Sequence, residues 1–185
     1  MENKNFSVTR WIQGTLFVFA IGAAGLAGCA HSPQETSQKA VATYLDKQAQ
    51  ALSSVAAPER TPDGLQVNLK GDDYFESGSA VLKAPVNGEV AKIGQVLSEY
   101  PDNQIRIEGY TDSQGRRGQN QLLSHARAEA VKNVLLQNGV KPQQLVSQGM
   151  GDTKPIASNK SADGRAQNRR VELHISVPEG ATAKS

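Results

Sequence analysis

The chain has 185 residues, which is enough for one domain with additional segments. Hydrophobic residues make up 38% of the chain, a share that supports a packed core. Its 20 basic and 18 acidic residues leave a net charge of +2, and this balance argues against a nucleic-acid-binding protein.

The N-terminal segment differs in composition from the rest of the chain. Residues 1–10 carry Lys4 and Arg10, and residues 11–28 contain no charged residue. A basic start that is followed by an apolar stretch and small residues predicts a secretory signal peptide over residues 1–28. The apolar stretch is marginal for a membrane span, which needs about 20 residues.

Cys29 follows this segment and is the only cysteine of the chain. A single cysteine in an exported protein cannot form an internal disulfide, so it suggests another role. With the three residues before it, Cys29 completes the sequence Leu-Ala-Gly-Cys, which closely resembles the bacterial lipobox. The resemblance implies cleavage before Cys29 and lipid attachment to its thiol and new amino group. The alternative is an uncleaved anchor with an incidental cysteine.

Residues 29–62 are predicted to form a tether, and the sequence leaves open whether part of it is helical. The stretch 39–58 has apolar residues at near-helical spacing, which fits a short amphipathic helix as well as a partly ordered tether. Prolines and a glycine in residues 57–64 mark the start of a globular domain, which we expect over residues 63–178. Residues 179–185 have the composition of a disordered tail.

Hydrophobic periodicity predicts the elements of this domain in chain order. Strands with alternating apolar residues are expected at 65–69, 104–111, 145–151 and 170–177. Helices are expected within 84–101 and at 118–137, and a polar turn or short helix at 161–170. The order β-α-β-α-β-(short α)-β predicts an α/β fold. The expected architecture is an α+β sandwich, in which helices cover one face of a mixed sheet and the other face is exposed to water.

The helix at 118–137 contains a charged residue within its apolar arc. At about 100° per residue, the core face should include Leu123, Ala126 and Val131, and Arg127 falls inside this arc while Asn120 borders it. Arginine is almost never fully buried unless it is paired. Arg127 therefore needs an anion, from the protein or from a ligand.

Asp112, in the turn before this helix, is the nearest candidate for that anion. The residues alone leave three interpretations open. Asp112 forms a permanent internal salt bridge with Arg127, or it caps its own turn. In the third interpretation the two residues bind a zwitterionic ligand, with Arg127 on its carboxylate and Asp112 on its ammonium group.

Three separated motifs carry a resemblance to a known family: IEGYTDSQG at 107–115, NQLLSHARAEAV at 120–131 and GRAQNRRVEL at 164–173. Together with YFESGSAVLK at 74–83, they resemble the OmpA-like C-terminal peptidoglycan-binding domain, in the same order and spacing over residues 64–177. Combined with the lipobox, the chain is similar to outer-membrane lipoproteins of the Pal or YiaD type.

The resemblance implies a ligand, the meso-diaminopimelate of the peptidoglycan stem peptide, which carries an ammonium and a carboxylate on one carbon. By the family's motifs, Asp112 would bind the ammonium and Arg127 the carboxylate. The resemblance implies four further residues of the same site, namely Thr111, Asn120, Leu123 and Arg169.

Four nearby positions are less specific. Phe75 matches an aromatic residue near the family's site, although we interpret it first as a core residue. Asn168 and Arg170 are expected to shape the adjoining loop. Tyr110 departs from the family, because many members have histidine before the Thr-Asp pair, and we infer no loss of binding from this difference.

The sequence shows no constellation of catalytic residues. The three histidines, His31, His125 and His174, lie far apart and lack the spacing of metal ligands, and we expect plain surface roles for the last two. No motif for an activated nucleophile or a phosphate-binding loop occurs, and no paired acid and base marks a glycan hydrolase. We therefore expect no enzymatic activity, no cofactor and no metal.

The expected function is a non-catalytic tether in the cell outer membrane. Lipid on Cys29 would anchor it, and the domain would bind peptidoglycan in the periplasm. Position 30 is alanine and not the aspartate that signals inner-membrane retention. One alternative is an inner-membrane or stator-like protein that keeps residues 11–28 as a span. Another is an enzyme or regulator, with an envelope protein as partner, that uses the domain only for localisation at the cell wall.

Overall fold

The computed structural model describes residues 33–177 of the chain. The predicted signal peptide at 1–28, Cys29 and the predicted tail at 179–185 lie outside the described residues. Within residues 33–177, no helix combines the length and apolarity that crossing a membrane requires.

A five-stranded mixed sheet forms the centre of the domain. The strands are Pro58–Thr61 (β1), Gly64–Lys70 (β2), Gln104–Tyr110 (β3), Leu145–Gly149 (β4) and Arg170–Ser176 (β5). Their order across the sheet is β1-β2-β5-β3-β4. Strand β4 runs parallel to β3, and every other neighbouring pair is antiparallel.

Helices cover one face of this sheet. They span Pro33–Leu52 (α1), Gly71–Tyr74 (α2), Ala84–Ser98 (α3), Arg117–Gln137 (α4) and Ala162–Asn168 (α5), with a 3-10 turn at Pro142–Gln144. Alternate residues of the central strands, among them Leu65, Val67 and Leu69 on β2, are buried in one core with apolar residues of α3 and α4. The predicted α/β fold, a mixed sheet with helices on one face, is therefore confirmed.

The sequence did not predict β1, whose residues Pro-Glu-Arg-Thr show no apolar alternation. The strand forms because it pairs with β2 at the edge of the sheet, where a proline is tolerated. Arg60 on this strand also forms a salt bridge with Asp46 of α1 at 2.5 Å. Tertiary pairing, rather than local pattern, thus specifies this element.

The stretch 39–58, which the sequence left open between helix and tether, is helical as far as Leu52. Within α1, Leu45 and Leu52 are buried in the core, and the Tyr44 ring packs edge-on against Tyr100. The compact unit therefore includes α1, which precedes the boundary expected from the prolines and glycine of residues 57–64. Those residues form strand β1 and its turn into β2, so they lie within the unit and do not mark its start.

The core face of α4 is rotated from the predicted one. Ala126, expected in the core, is exposed, whereas Ser124 and Ala128 are buried. The reason is a close approach between the helix and the sheet, since a Cβ on Gly109 would lie 2.0 Å from the carbonyl oxygen of Ser124. Small residues at this contact turn the helix so that Arg127 faces inward, as predicted.

Candidate functional site

A pocket of about 560 Å³ lies between α2, the loop that follows it, the β3–α4 turn and the inner side of α4. We call it the α2–α4 pocket. All six ligand-binding residues implied by the family's motifs line it: Thr111, Asp112, Asn120, Leu123, Arg127 and Arg169. A larger groove of about 930 Å³ lies at the opposite end of β3, around Gln104 and Ser176, and contains none of these six residues.

Asp112 caps its own turn, as one of the three interpretations held. Its Oδ1 accepts a hydrogen bond from the backbone N–H of Gln114 at 3.0 Å. Its Oδ2 accepts one from Nη1 of Arg169 at 2.5 Å. The Asn120 amide donates to the Asp112 carbonyl oxygen at 3.3 Å and so ties the start of α4 to this turn. Within the described residues, the internal Asp112–Arg127 salt bridge is not formed.

Arg127 is 3% exposed and lacks a carboxylate partner within residues 33–177. Its Nε donates to the carbonyl oxygen of Ser79 at 2.9 Å, and its Cζ lies 5.2 Å from the centre of the Phe75 ring. Its Nη1 is buried and has no hydrogen-bond partner among those residues. Because nearly all buried polar groups in proteins are hydrogen-bonded, this atom calls for an acceptor beyond those residues.

Burial lowers the pKa of the Arg127 guanidinium from its ordinary value. Asp72 favours the charged form, Arg169 opposes it, and Asp112 favours it again, so the neighbouring charges offset only part of the burial. The guanidinium is thus a cation whose lost hydration is only partly replaced by the protein. An incoming carboxylate would supply the missing interaction.

Phe75 has both of the roles considered for it. The ring is 2% exposed and belongs to the hydrophobic core, and it also lines the α2–α4 pocket. It therefore supports the Arg127 guanidinium by a cation–π contact.

Sequence reasoning missed Asp72, which is the second carboxylate on Arg169. Oδ1 of Asp72 accepts from Nε of Arg169 at 2.7 Å, and Oδ2 accepts from Nη2 of the same guanidinium. This hydrogen bonding lowers the pKa of Asp72 and raises the pKa of Arg169 from their ordinary values. The two residues are 97 positions apart, and no local pattern joins them.

The open face of the sheet carries a separate polar network at the same end. The Arg170 guanidinium stacks on the Tyr110 ring at 3.8 Å and donates to Glu172 at 2.6 Å. Nε2 of His174 lies 3.0 Å from Glu172 and 3.4 Å from Glu108. His174 does lie on the open face, as expected. The sequence did not indicate that Glu172 of the same strand and Glu108 of the neighbouring strand β3 both contact it.

The carboxylates of this network are paired with basic side chains of the same network. Burial alone would raise the pKa of Glu172, but hydrogen bonds from His174 and Arg170 outweigh it and hold that pKa below its usual value. Glu108 accepts from Arg106 at 2.8 Å and from the Tyr110 hydroxyl at 2.5 Å. Each carboxylate therefore already has an arginine partner, and the contact of His174 with Glu108 joins β5 to β3.

Comparison with known proteins agrees with the fold. The profile of the OmpA family matches residues 74–169, which is just over half of the chain. The probable lipoprotein YiaD of Escherichia coli is 40% identical over 117 residues, covering 63% of this chain and 53% of YiaD. The chain therefore matches about half the length of that relative.

Two further comparisons extend the match. The outer-membrane lipoprotein YfiB of Pseudomonas aeruginosa is 31% identical over 151 residues, covering 82% of this chain and 86% of YfiB. The crystal structure of the peptidoglycan-associated lipoprotein from Burkholderia pseudomallei superposes with a TM-score of 0.53 at 30% identity, over 59% of this chain and 89% of that one. The chain belongs to the OmpA family.

Proposed function

We propose that this protein is a non-catalytic envelope lipoprotein whose domain binds peptidoglycan through the meso-diaminopimelate of the stem peptide. Binding at the α2–α4 pocket would connect the outer membrane to the cell wall. Membership of the OmpA family and the lipoprotein relatives support this role.

The observation that carries the proposal is the buried guanidinium of Arg127. Its Nη1 has no partner among the described residues, and the residue lines a pocket large enough for an amino-acid side chain. A ligand carboxylate would provide the missing acceptor, and charge-assisted hydrogen bonds between arginine and carboxylate are among the strongest in proteins. Folding already removes water from the Arg127 guanidinium, so ligand binding requires no further desolvation of this group.

The same pocket offers the opposite charge for an ammonium group. Asp112 lines it with only 8% of its surface exposed, and the buried hydroxyl of Thr111 has no hydrogen-bond partner among the described residues. A ligand with an ammonium and a carboxylate on one carbon could use both charges. A stem peptide with lysine in place of diaminopimelate is a useful contrast, because its side-chain ammonium group has no carboxylate beside it.

A competition experiment with purified diaminopimelate-type sacculi tests this proposal. We expect residues 30–185 to sediment with sacculi, and excess stem tripeptide ending in meso-diaminopimelate to release the protein into the supernatant. The same tripeptide ending in lysine should release much less, because its side-chain end lacks the carboxylate for Arg127. Protein that remains in the supernatant without competitor would overturn the proposal, and equal release by both tripeptides would remove diaminopimelate as its ligand.

For the rest of the chain we propose a removed signal peptide at 1–28, lipid on Cys29, a tether within 29–62, the binding domain over 63–178 and a tail at 179–185. Two or more acyl chains give stable anchoring where a single chain is marginal. Each contact with the wall can be weak, because many copies on one polymer gain avidity. Since α1 packs on the domain, much of the segment 29–62 would belong to the folded unit rather than to a free tether.

Mass spectrometry of the mature protein, extracted from membranes, tests the anchor. We expect an N-terminal peptide that begins at Cys29 and carries acyl chains, and we expect Cys29→Ser to leave the precursor unprocessed. An intact N-terminus that begins at Met1 would instead favour the inner-membrane alternative, in which residues 11–28 remain as a span.

A further inference from the structure

Arg169 lies between two carboxylates, and the two contacts are unequal. Asp72 receives two hydrogen bonds from the guanidinium, through Nε and Nη2, whereas Asp112 receives one from Nη1 at 2.5 Å. The side chains of Asp72 and Asp112 are 50% and 11% exposed, respectively. Asp112, the carboxylate proposed to bind the ligand's ammonium group, therefore already forms a salt bridge with Arg169 in the absence of ligand.

A ligand ammonium that binds Asp112 must compete with this contact. If Asp112 were the only partner of Arg169, the arriving ammonium would either be excluded or leave a guanidinium without a counter-ion beside it. Two cations near one carboxylate repel each other. The bidentate contact with Asp72 removes this conflict, because Arg169 keeps two charge-assisted hydrogen bonds after Nη1 has released Asp112.

The backbone fixes Arg169 in the same corner. The N–H of Gly71 donates to the carbonyl oxygen of Arg169 at 2.7 Å, so the first residue of α2 is joined to the residue that precedes β5. A Cβ on Gly71 would lie 2.8 Å from that oxygen, which leaves no room for a larger residue. Nζ of Lys83 donates to the Asp72 carbonyl oxygen at 2.7 Å and holds α2 from the other side.

We propose that Asp72 is a positioning residue that holds Arg169 and thereby frees Asp112 for the ammonium group of the ligand. This inference rests on the proposed function. It assigns to Asp72 an indirect effect on affinity, because both of its oxygens already accept hydrogen bonds from Arg169.

A double-mutant cycle on sacculus binding tests the inference. We expect Asp72→Asn to weaken binding about fivefold, since the guanidinium then shifts toward Asp112 and competes with the ligand. In an Arg169→Gln background, the same change at Asp72 should have no effect. Asp73→Asn, on the neighbouring exposed residue of α2, is the matched control and should bind like the wild type.

The outcomes separate the possible roles of Asp72. An equal loss in both backgrounds would mean that Asp72 contacts the ligand or maintains the fold, and would overturn the inference. No loss in the wild-type background would overturn it as well, while leaving the proposed function intact. If the wild type itself fails to bind sacculi, the proposed function fails first, and this inference fails with it.

A measurement without ligand checks the geometry. The Nε–H proton of Arg169 should exchange slowly with water in the wild type, because Asp72 accepts its hydrogen bond, and should exchange faster in Asp72→Asn. Thermal unfolding of each variant shows whether the domain remains folded. Unchanged exchange in the folded variant would overturn the proposed positioning of Arg169.

Discussion

Replacement of Arg127 by methionine is expected to remove sacculus binding and to leave the domain about as stable as the wild type. The guanidinium is 3% exposed and its Nη1 has no partner among the described residues, so its burial opposes folding. A methionine of similar length would keep the packing against Phe75, and replacing buried charges by apolar groups is often neutral or stabilising. The loss of charge-assisted hydrogen bonding to the ligand carboxylate should weaken binding by about 100-fold or more.

The measurement pairs two assays on one variant. Sedimentation with sacculi gives the binding, and urea unfolding gives the free energy of unfolding, which we expect to change by less than about 1 kcal/mol. Arg117→Met is the matched control, since it removes the same charge from an exposed position on the same helix. Normal binding by folded Arg127→Met would exclude a ligand role, and a variant that fails to fold would assign Arg127 to the fold.

The position of Arg127 was predictable because helix periodicity is a local property. A charged residue inside an apolar arc is visible at about 100° per residue, whatever the rest of the fold does. The partners of that arginine were less predictable. Ser79 approaches it from 48 positions earlier, so neither the contact nor the unpartnered Nη1 could be read from the pattern.

Asp72 illustrates the limit more clearly. It follows a strand, and its sequence neighbours suggest only a solvated acidic turn. Its importance arises because the end of β2 lies beside the start of β5, where Lys70 pairs with Arg170. The register between strands so far apart in the chain depends on the whole sheet. The sequence alone therefore could not predict the salt bridge between Asp72 and Arg169.

The rotation of α4 has the same kind of cause. Periodicity predicts the width of its apolar arc, but the exact direction depends on which residues allow close packing. Gly109 on β3 and Gly149 on β4 accept the backbone of the helix at a distance that no side chain would permit. The buried arc therefore includes Ser124 and Ala128, and Ala126 is left in solvent.

Gly109→Ala is expected to lower the free energy of unfolding by about 3 kcal/mol or more. The new Cβ would lie 2.0 Å from the carbonyl oxygen of Ser124 and 2.9 Å from its carbonyl carbon. These are backbone atoms of a 21-residue helix, so no side-chain rotation relieves the contact. The helix must move away from β3, and the packing of Val131 and Leu135 on the sheet is weakened with it.

Gly88→Ala is the matched control, because nothing lies within 4 Å of its added Cβ and it sits inside α3. Alanine is the better helix former, so this variant should be more stable than the wild type by up to about 1 kcal/mol. Urea unfolding of both variants measures the contrast. Gly109→Ala with wild-type stability would show that α4 and β3 can separate freely. Because Asp112 follows β3 and Arg127 lies on α4, the same separation would move Asp112 away from Arg127. We therefore expect sacculus binding to fall together with stability.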